Sequence, residues 1–494
     1  MTVPFNNIPS TLRIPLFFAE IDPRYANTAS AVQRTLLIGQ ITSAGSYVAN
    51  VPIRVASVGD NTDRSGNGSI LDGMVQAYRK NDPSGEVWAL PIADNGGATA
   101  ATGSIALTGT ATAAGTFPLY VAGVLIPVAV AVGDTATAVG ANIAAAVNAA
   151  VGVPVTAAAV TGTVTFTARN KGLAGNDIDI RTAYRGSSGG EVIPAGLAAV
   201  VTAMSGGATN PSLTTAIAAL GDMRFDFIVC SLTDSATIAA LAALLSDVNG
   251  RWSPTAQIFG HAFIAQRGTA GALASAASGY NNQHISVIGF NDSPSPTWAW
   301  AAAFAGAAAV SLRNDPALPL QYVVVQGLLA PPVSSRFTSA VRNATLLYGG
   351  VSTWLADHAG AIFIENMITT YVTNAQGNAD NSYLEIETLF TLVYVLRFMR
   401  TRVQTKYSRV KLAADGVRIL PGSPVVTPKI IKSDVIAAYR ELEEGGFVQN
   451  SDAFAANVVV EKDAGNPNRV NVLWPGTLIN QLRVFAMLAQ FRLS

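Results

Sequence analysis

Three short apolar runs, with segments of helical pattern between them, constrain this chain most. Phe225–Leu232 (FDFIVCSL), Gln257–Ala265 (QIFGHAFIA) and Ile285–Phe290 (ISVIGF) have the length and side chains of buried strands. Ser235–Val248 and Thr269–Tyr280, between them, have helical spacing. Strands that are apolar throughout, joined by helices, predict a mostly parallel sheet with helices on both faces. The same pattern occurs earlier. Thr35–Gln40 and Glu86–Ile92 read as strands, Val51–Ser57 alternates weakly, and Ser69–Lys80 reads as a helix stopped by Asp82-Pro83.

The 494 residues suggest several domains. Between Ala98 and Ala168 the only charged residue is Asp134. Ser104–Thr110, Leu119–Val130 and Thr161–Ala168 read there as strands. Asp134–Ala150 reads as an alanine-rich helix with Asp134 as N-cap. The expected division is an N-terminal arm (1–30), the first part of an α/β core (31–97) and an inserted α+β domain (98–203). The rest of the core (204–373), a C-terminal α+β domain (374–477) and a C-terminal arm (478–494) follow. In the C-terminal domain, Tyr383–Lys411 reads as a long helix, acidic at Glu385 and Glu387 and basic from Arg397 onward, which suits the helix dipole. Ser433–Gly445 reads as a short amphipathic helix, and Asn457–Lys462 with Arg469–Trp474 as a hairpin.

Lys+Arg and Asp+Glu are both 31, so net charge is zero, and only 13% of residues are charged against about 25% in ordinary domains. With 50% apolar residues this excludes a disordered chain, and the charge balance argues against a dedicated nucleic-acid binder. One cysteine, Cys230, excludes an internal disulfide and a cysteine-based metal cage. The start MTVPFNNIPSTLRIPL has no secretory pattern, and the Trp298–Val310 run is too short to span a bilayer. The expected setting is a cytoplasm-like compartment.

No motif with a catalytic mechanism stands out. RSGNGSILDG (64–73) fits neither phosphate-loop spacing and reads as a turn before a helix. His261, His284, Asp226 and Ser286 contain the residue types of a hydrolytic triad, without a nucleophile elbow. They read as core or loop residues, and Cys230 as a small buried hydrophobe. No cofactor and no metal is expected.

The ends are the unusual feature. Arg13–Ile21 (RIPLFFAEI) and Leu478–Leu493 (LINQLRVFAMLAQFRL) are apolar, strand-prone and without an evident local partner. Two readings remain open: each folds back on its own sheet, or each adds a strand to another copy.

Several motifs, in order, resemble tail sheath proteins of Mu-like contractile phages. They are FNNIPSTLRIPLFFAEID at the start, GLAGNDIDIRTAYRG (172–186), MSGGATNP (204–211), YSRVKLAADG (407–416), VVTPKI (425–430) and LINQLRV (478–484). The resemblance implies a non-enzymatic subunit with a subtilisin-like α/β scaffold lacking catalytic residues. It would form stacked six-fold rings around an inner tail tube, with baseplate and tail terminator proteins as further partners. Nucleic-acid contact and membrane insertion are not expected. The setting would be the virion tail, assembled in the host bacterial cytoplasm.

By the same resemblance the donor arms carry Arg13, Ile14, Leu16, Phe17, Phe18 and Ile21, and Leu478, Ile479, Leu482, Val484, Phe485 and Leu488. The acceptor hairpin carries Val458, Val460, Val470, Val472 and Trp474, and tube contact falls to Lys432, Asp434, Arg440, Glu441, Glu443 and Glu444. A solvated helix face is the competing reading for those six. An α/β hydrolase-like enzyme and another lattice-forming capsid or surface-layer protein are the alternative functions.

Overall fold

The computed structural model describes residues 33–492. The chain enters through β1 (Arg34–Gln40), β2 (Ile53–Arg54) and β3 (Glu86–Ile92). β1 and β3 are parallel over their full length, from Arg34 opposite Glu86 to Gln40 opposite Ile92. Both are almost entirely buried, which explains their unbroken apolar character. The helix Ile70–Asn81 lies between them in the chain and packs against β1. Ser69 caps it by accepting the Asp72 N–H, and Asp82 ends it.

The chain then leaves the sheet for a module of two small sheets. β4 (Thr102–Gly109), β5 (Gly115–Val121), β6 (Val124–Val130), β7 (Val155–Val160), β8 (Thr163–Ala168), β9 (Ile180–Thr182) and β10 (Leu197–Ser205) form it. One sheet has the order β10-β4-β8-β7 and the other β6-β5-β9. Two expectations change here. Leu119–Val130 is not one strand but the hairpin β5–β6. Its turn, Ala122-Gly123, has φ of 52° and 82°, a two-residue turn without the usual Asn-Gly signature. The helix is Ala136–Ala149, and its cap is Thr135, which accepts the Ala138 N–H. Asp134 instead accepts the Ala131 N–H at 2.7 Å and closes the preceding turn.

After the module the chain returns with β11 (Phe227–Cys230), β12 (His261–Arg267), β13 (Ile285–Phe290), β14 (Val324–Val325), β15 (Val351–Ala356) and β16 (Ile362–Asn366). These join the first strands in one nine-stranded sheet, β14-β16-β15-β13-β12-β11-β1-β3-β2. The six central strands are parallel, and β2, β14 and β16 make antiparallel edges. The expected mostly parallel α/β core is therefore present, and β11 pairs directly with β1 across the whole inserted module.

The alanine run belongs to the helix Thr297–Asn314, in which Trp298, Trp300–Ala305, Ala307–Ala309 and Leu312 are all buried. Its composition follows from crowding. It packs on the sheet and against the helix Ile70–Asn81, so closely that a Cβ on Gly306 would lie 2.8 Å from the Tyr78 carbonyl oxygen. Below the contact, the Tyr78 hydroxyl donates to Asp82, and Arg313 pairs with the fully buried Asp82 carboxylate at 2.7 Å.

The C-terminal part contains the long helix Ile386–Tyr407, shorter than expected at both ends, and a second helix, Pro428–Glu444. The second helix starts five residues before its expected start because Thr427 caps it and Pro428 occupies its first turn. Around them lie four two-residue strands, β17 (Lys411–Leu412), β18 (Val425–Val426), β19 (Val448–Gln449) and β22 (Thr477–Leu478), and the hairpin of β20 (Val459–Lys462) and β21 (Val470–Leu473). Apolar packing divides inside the long helix. Ile386 and Phe390 join the main core, whereas Val395 joins a second core with Val435, Tyr439, Leu442, Val448, Phe454 and Val458.

Replacing Gly306 by Leu should lower the unfolding free energy by about 1–3 kcal/mol, because the side chain has no room against the Tyr78 carbonyl. Thermal unfolding followed by circular dichroism checks this, and an unchanged midpoint would refute it.

Candidate functional site

The sheet brings two members of the imagined triad together. His261 Nε2 and Ser286 Oγ are 2.8 Å apart on adjacent strands β12 and β13, and both residues are buried. The chemistry is nevertheless wrong for a nucleophile. The Ser286 hydroxyl donates its only proton to the Ile368 carbonyl at 2.7 Å, so His261 must donate to Ser286 rather than accept from it. His261 Nδ1 is buried with no partner, where a triad needs a carboxylate. Asp226 faces elsewhere: it pairs with Arg397 at 2.6 Å and accepts the Arg34 N–H at 3.2 Å. Burial, and secondarily the charge of His284, pushes the His261 pKa down to about 3. His284 stacks on Trp252 and meets Asp247 at 2.8 Å. Burial pushes the Cys230 thiol up to about 12, consistent with a small buried hydrophobe. In the glycine-rich 64–73 stretch, the Asp72 carboxylate accepts the Gly68 N–H and the Thr62 hydroxyl, so an acid of the chain itself occupies that turn.

The C-terminal residues form a different kind of site. The aromatic rings of Tyr439 and Phe454 stack at 3.8 Å, and Trp474 lies against both at 5.4 and 5.5 Å. The Tyr439 hydroxyl donates to the Gln449 carbonyl at 2.6 Å and accepts the Thr477 N–H at 3.0 Å, which ties the second helix to β19 and β22. On this base the β20–β21 hairpin pairs from Val459 opposite Leu473 to Lys462 opposite Val470. Among the described residues it has no third strand, so both outer edges are open. Val458 is buried, Val460 and Trp474 are half-buried against the second core, Val470 is half-buried and Val472 is exposed.

The six tube-contact residues are not equivalent. Asp434 lies in the second turn of its helix, and its carboxylate is engaged by Arg402 at 2.8 Å, by Lys406 and by the Tyr407 hydroxyl. Glu441 meets Arg402 at 2.7 Å, and Glu443 accepts the Ser451 N–H at 2.9 Å. These three hold the second helix to the first helix and to the following turn. Arg440 and Glu444 are exposed and Lys432 is partly so. The basic stripe of the long helix is likewise engaged in part, with Arg397 on Asp226 and Arg402 and Lys406 on Asp434. Periodicity could not show this, because the carboxylates come from other elements.

The C-terminal run departs from a continuous strand. Only Thr477–Leu478 is a strand, antiparallel to Val448–Gln449, and Ile479 adds one bond by donating to the Phe447 carbonyl at 3.1 Å. Residues 480–492 have no regular structure, yet Leu482 is 67% exposed, Val484 79%, Phe485 81%, Leu488 85% and Phe491 84%. Leu478 and Ile479 are thus paired within the chain, and the apolar residues from Leu482 onward face solvent. Arg13, Ile14, Leu16, Phe17, Phe18 and Ile21 lie outside the described residues.

Two family models match in tandem: the phage tail sheath protein central domain over residues 206–370 and the phage tail sheath C-terminal domain over 378–492. The chain is also 40% identical over 493 residues to the Mu-like prophage FluMu tail sheath protein of Haemophilus influenzae, covering 99% of this chain and all of that one. The chain belongs to the phage tail sheath family. The sheath subunit is also similar to solved sheath tail proteins of Desulfitobacterium hafniense and Listeria innocua. The first is 13% identical, with TM-score 0.48 and coverage of 95% and 97% of the two chains. The second is 12% identical, with TM-score 0.48 and coverage of 90% and 92%. The expectation of a Mu-like tail sheath protein therefore holds.

His261 supplies a pH test of the core. Its folded pKa lies below the unfolded value of about 6.5, so between those values the unfolded chain binds more protons. The His261 contribution to stability should fall as pH drops below about 6.5, and it should be fully present above that. His261→Gln should flatten part of the decline in denaturant-unfolding free energy between pH 7 and pH 5; a slope identical to the parent protein's would refute this.

Proposed function

We propose that the subunit builds a contractile tail sheath by exchanging strands with its neighbours. Six-fold rings would stack helically around an inner tail tube, between a baseplate and a tail terminator protein. Contraction of the stack would drive the tube through the host envelope. The parallel sheet supports reading the core as a subtilisin-like scaffold, and the proton committed from Ser286 to Ile368 supports a purely structural role for it. The setting would be the virion tail, assembled in the host cytoplasm, without nucleic-acid contact, membrane insertion or a cofactor.

One observation carries the strand-exchange reading. Apolar side chains from Leu482 to Phe491 are left in solvent on one part of the subunit, and a two-stranded hairpin with open edges stands on another. Each large side chain would gain about 1.5–3 kcal/mol on full burial, and the backbone would gain a ladder. A neighbour's hairpin satisfies both needs. Backbone ladders persist while rigid bodies turn about their linkers, so the lattice can reshape without dissociating. The N-terminal residues Arg13–Ile21 are the second proposed donor. For the tube, Lys432, Arg440 and Glu444 are the better candidates, because Asp434, Glu441 and Glu443 are already engaged within the subunit. Exposed charge pairs contribute at most about 1 kcal/mol each, which suits a releasable contact.

Deleting residues 484–494 should leave a folded subunit with a near-parental melting temperature that builds no tubes. Negative-stain microscopy and circular dichroism read the two halves of this outcome, and normal tubes from the deletion would refute strand exchange at this end.

A further inference from the structure

The C-terminal arm is fastened at one residue. Arg483 Nη2 lies 2.9 Å from Glu385 Oε2 and 2.8 Å from Glu387 Oε1. The Glu387 side chain is fully buried, and the same Oε1 also accepts the Leu320 N–H at 2.9 Å. One residue earlier, the Leu482 carbonyl accepts from Gln321 Nε2 at 3.2 Å. The contact groups come from the main core and from the foot of the long helix, not from the second core that holds β22.

We propose that Arg483 is a permanent pin: residues 477–483 stay on the parent subunit in the free and the assembled states, and the strand donated to a second copy begins at Val484. This rests on the strand-exchange reading above and says where the exchange starts. If Arg483 left with the arm, two neighbouring carboxylates, one of them fully buried, would remain without their cation. Removing one partner from a buried pair is among the largest single losses in a folded protein, so the pinned state is favoured by about a hundredfold or more. Beyond the pin the balance reverses. Val484, Phe485, Leu488 and Phe491 are each about four-fifths exposed, and no bond to the parent opposes their departure among the described residues. Leu482 beside the pin is itself 67% exposed, and its backbone is held through the Gln321 bond, whereas the polar contacts to the parent end at Arg483 among the described residues.

The pin also limits geometry. The described residues Val484–Arg492 span at most about 30 Å when extended, so an acceptor hairpin that pairs with them must lie within that radius of Arg483. A pinned root keeps the donated strand at a high local concentration near its acceptor, whereas a free root would sample a larger volume.

Two full-length variants and the 484–494 deletion test this. In Gln321→Cys/Leu482→Cys the new thiols can be joined by a short bismaleimide, while native Cys230 is buried. The joined subunit should form tubes at a concentration within about twofold of the unjoined one, as judged by sedimentation and negative-stain microscopy. Arg483→Gln should need about tenfold more protein, equivalent to about 1.4 kcal/mol. Failure of the joined subunit, where the unjoined one assembles, would overturn the pin by showing that the root must move. Tubes from Arg483→Gln at or below the parental concentration would overturn it too, since Arg483 would then be a latch that opens. If Arg483→Gln does not fold, the joined pair decides alone. Normal tubes from the deletion would instead overturn the exchange itself and the pin with it.

Discussion

The C-terminal part of the subunit depends on one rod shared by two cores. The helix Ile386–Tyr407 begins in the main core through Ile386 and Phe390 and ends against the second through Val395 and its neighbours. Arg397 fastens it to Asp226 beside the central strands, and Arg402 fastens the second helix to it through Asp434 and Glu441. Arg402 is largely shielded from solvent, and both acids strengthen its charge, so this is a charge-assisted joint rather than a surface pair. The open hairpin is built on the second core, so its position follows from that rod. Any force on the hairpin in a lattice would pass to the α/β core through that helix and through the Arg483 contacts after β22.

A second theme is where polar groups are satisfied. In the α/β core several buried polar residues close on other groups of the core: Tyr78 on Asp82, Asp82 on Arg313, Ser286 on Ile368. These contacts make a rigid body, because each group left unpaired would carry a desolvation cost. At the C-terminal end the opposite holds. The hairpin edges are open among the described residues, and large apolar side chains face solvent past Arg483. A rigid core with unsatisfied strand material is what a subunit needs if it is to move within a polymer and stay linked to it.

Much of the fold was legible along the chain. β3, β13 and the helices after Ser69 and Thr269 fall within a residue or two of the expected spans, and the helix after Asp234 starts where expected but ends four residues early, because strand runs and Ser/Thr/Asp caps are local signals. The misses share a cause. The Ala122-Gly123 turn hides inside a continuous apolar run, β7 is nearly all alanine and valine like the helix before it, and Thr135 and Asp134 are both acceptable caps. Where composition is uniform, backbone geometry decides. For the proposed site, the patterns of Leu478–Leu493 and of the hairpin did not show that Leu478 and Ile479 pair internally or that Arg483 is held.

Order along the chain was therefore sufficient to indicate a mostly parallel α/β core, a stretch from Ala98 to Ala168 with Asp134 as its only charge, and a C-terminal end rich in apolar residues. Periodicity, capping and charge counts are properties of neighbours in sequence. Only the folded chain decided that His261 and Ser286 meet without forming a nucleophile, that Asp434 and Glu441 face inward to Arg402, and that the arm is free only beyond Arg483. Each of those outcomes depends on which distant groups compete for a proton or a charge, and that competition exists only once the elements have packed.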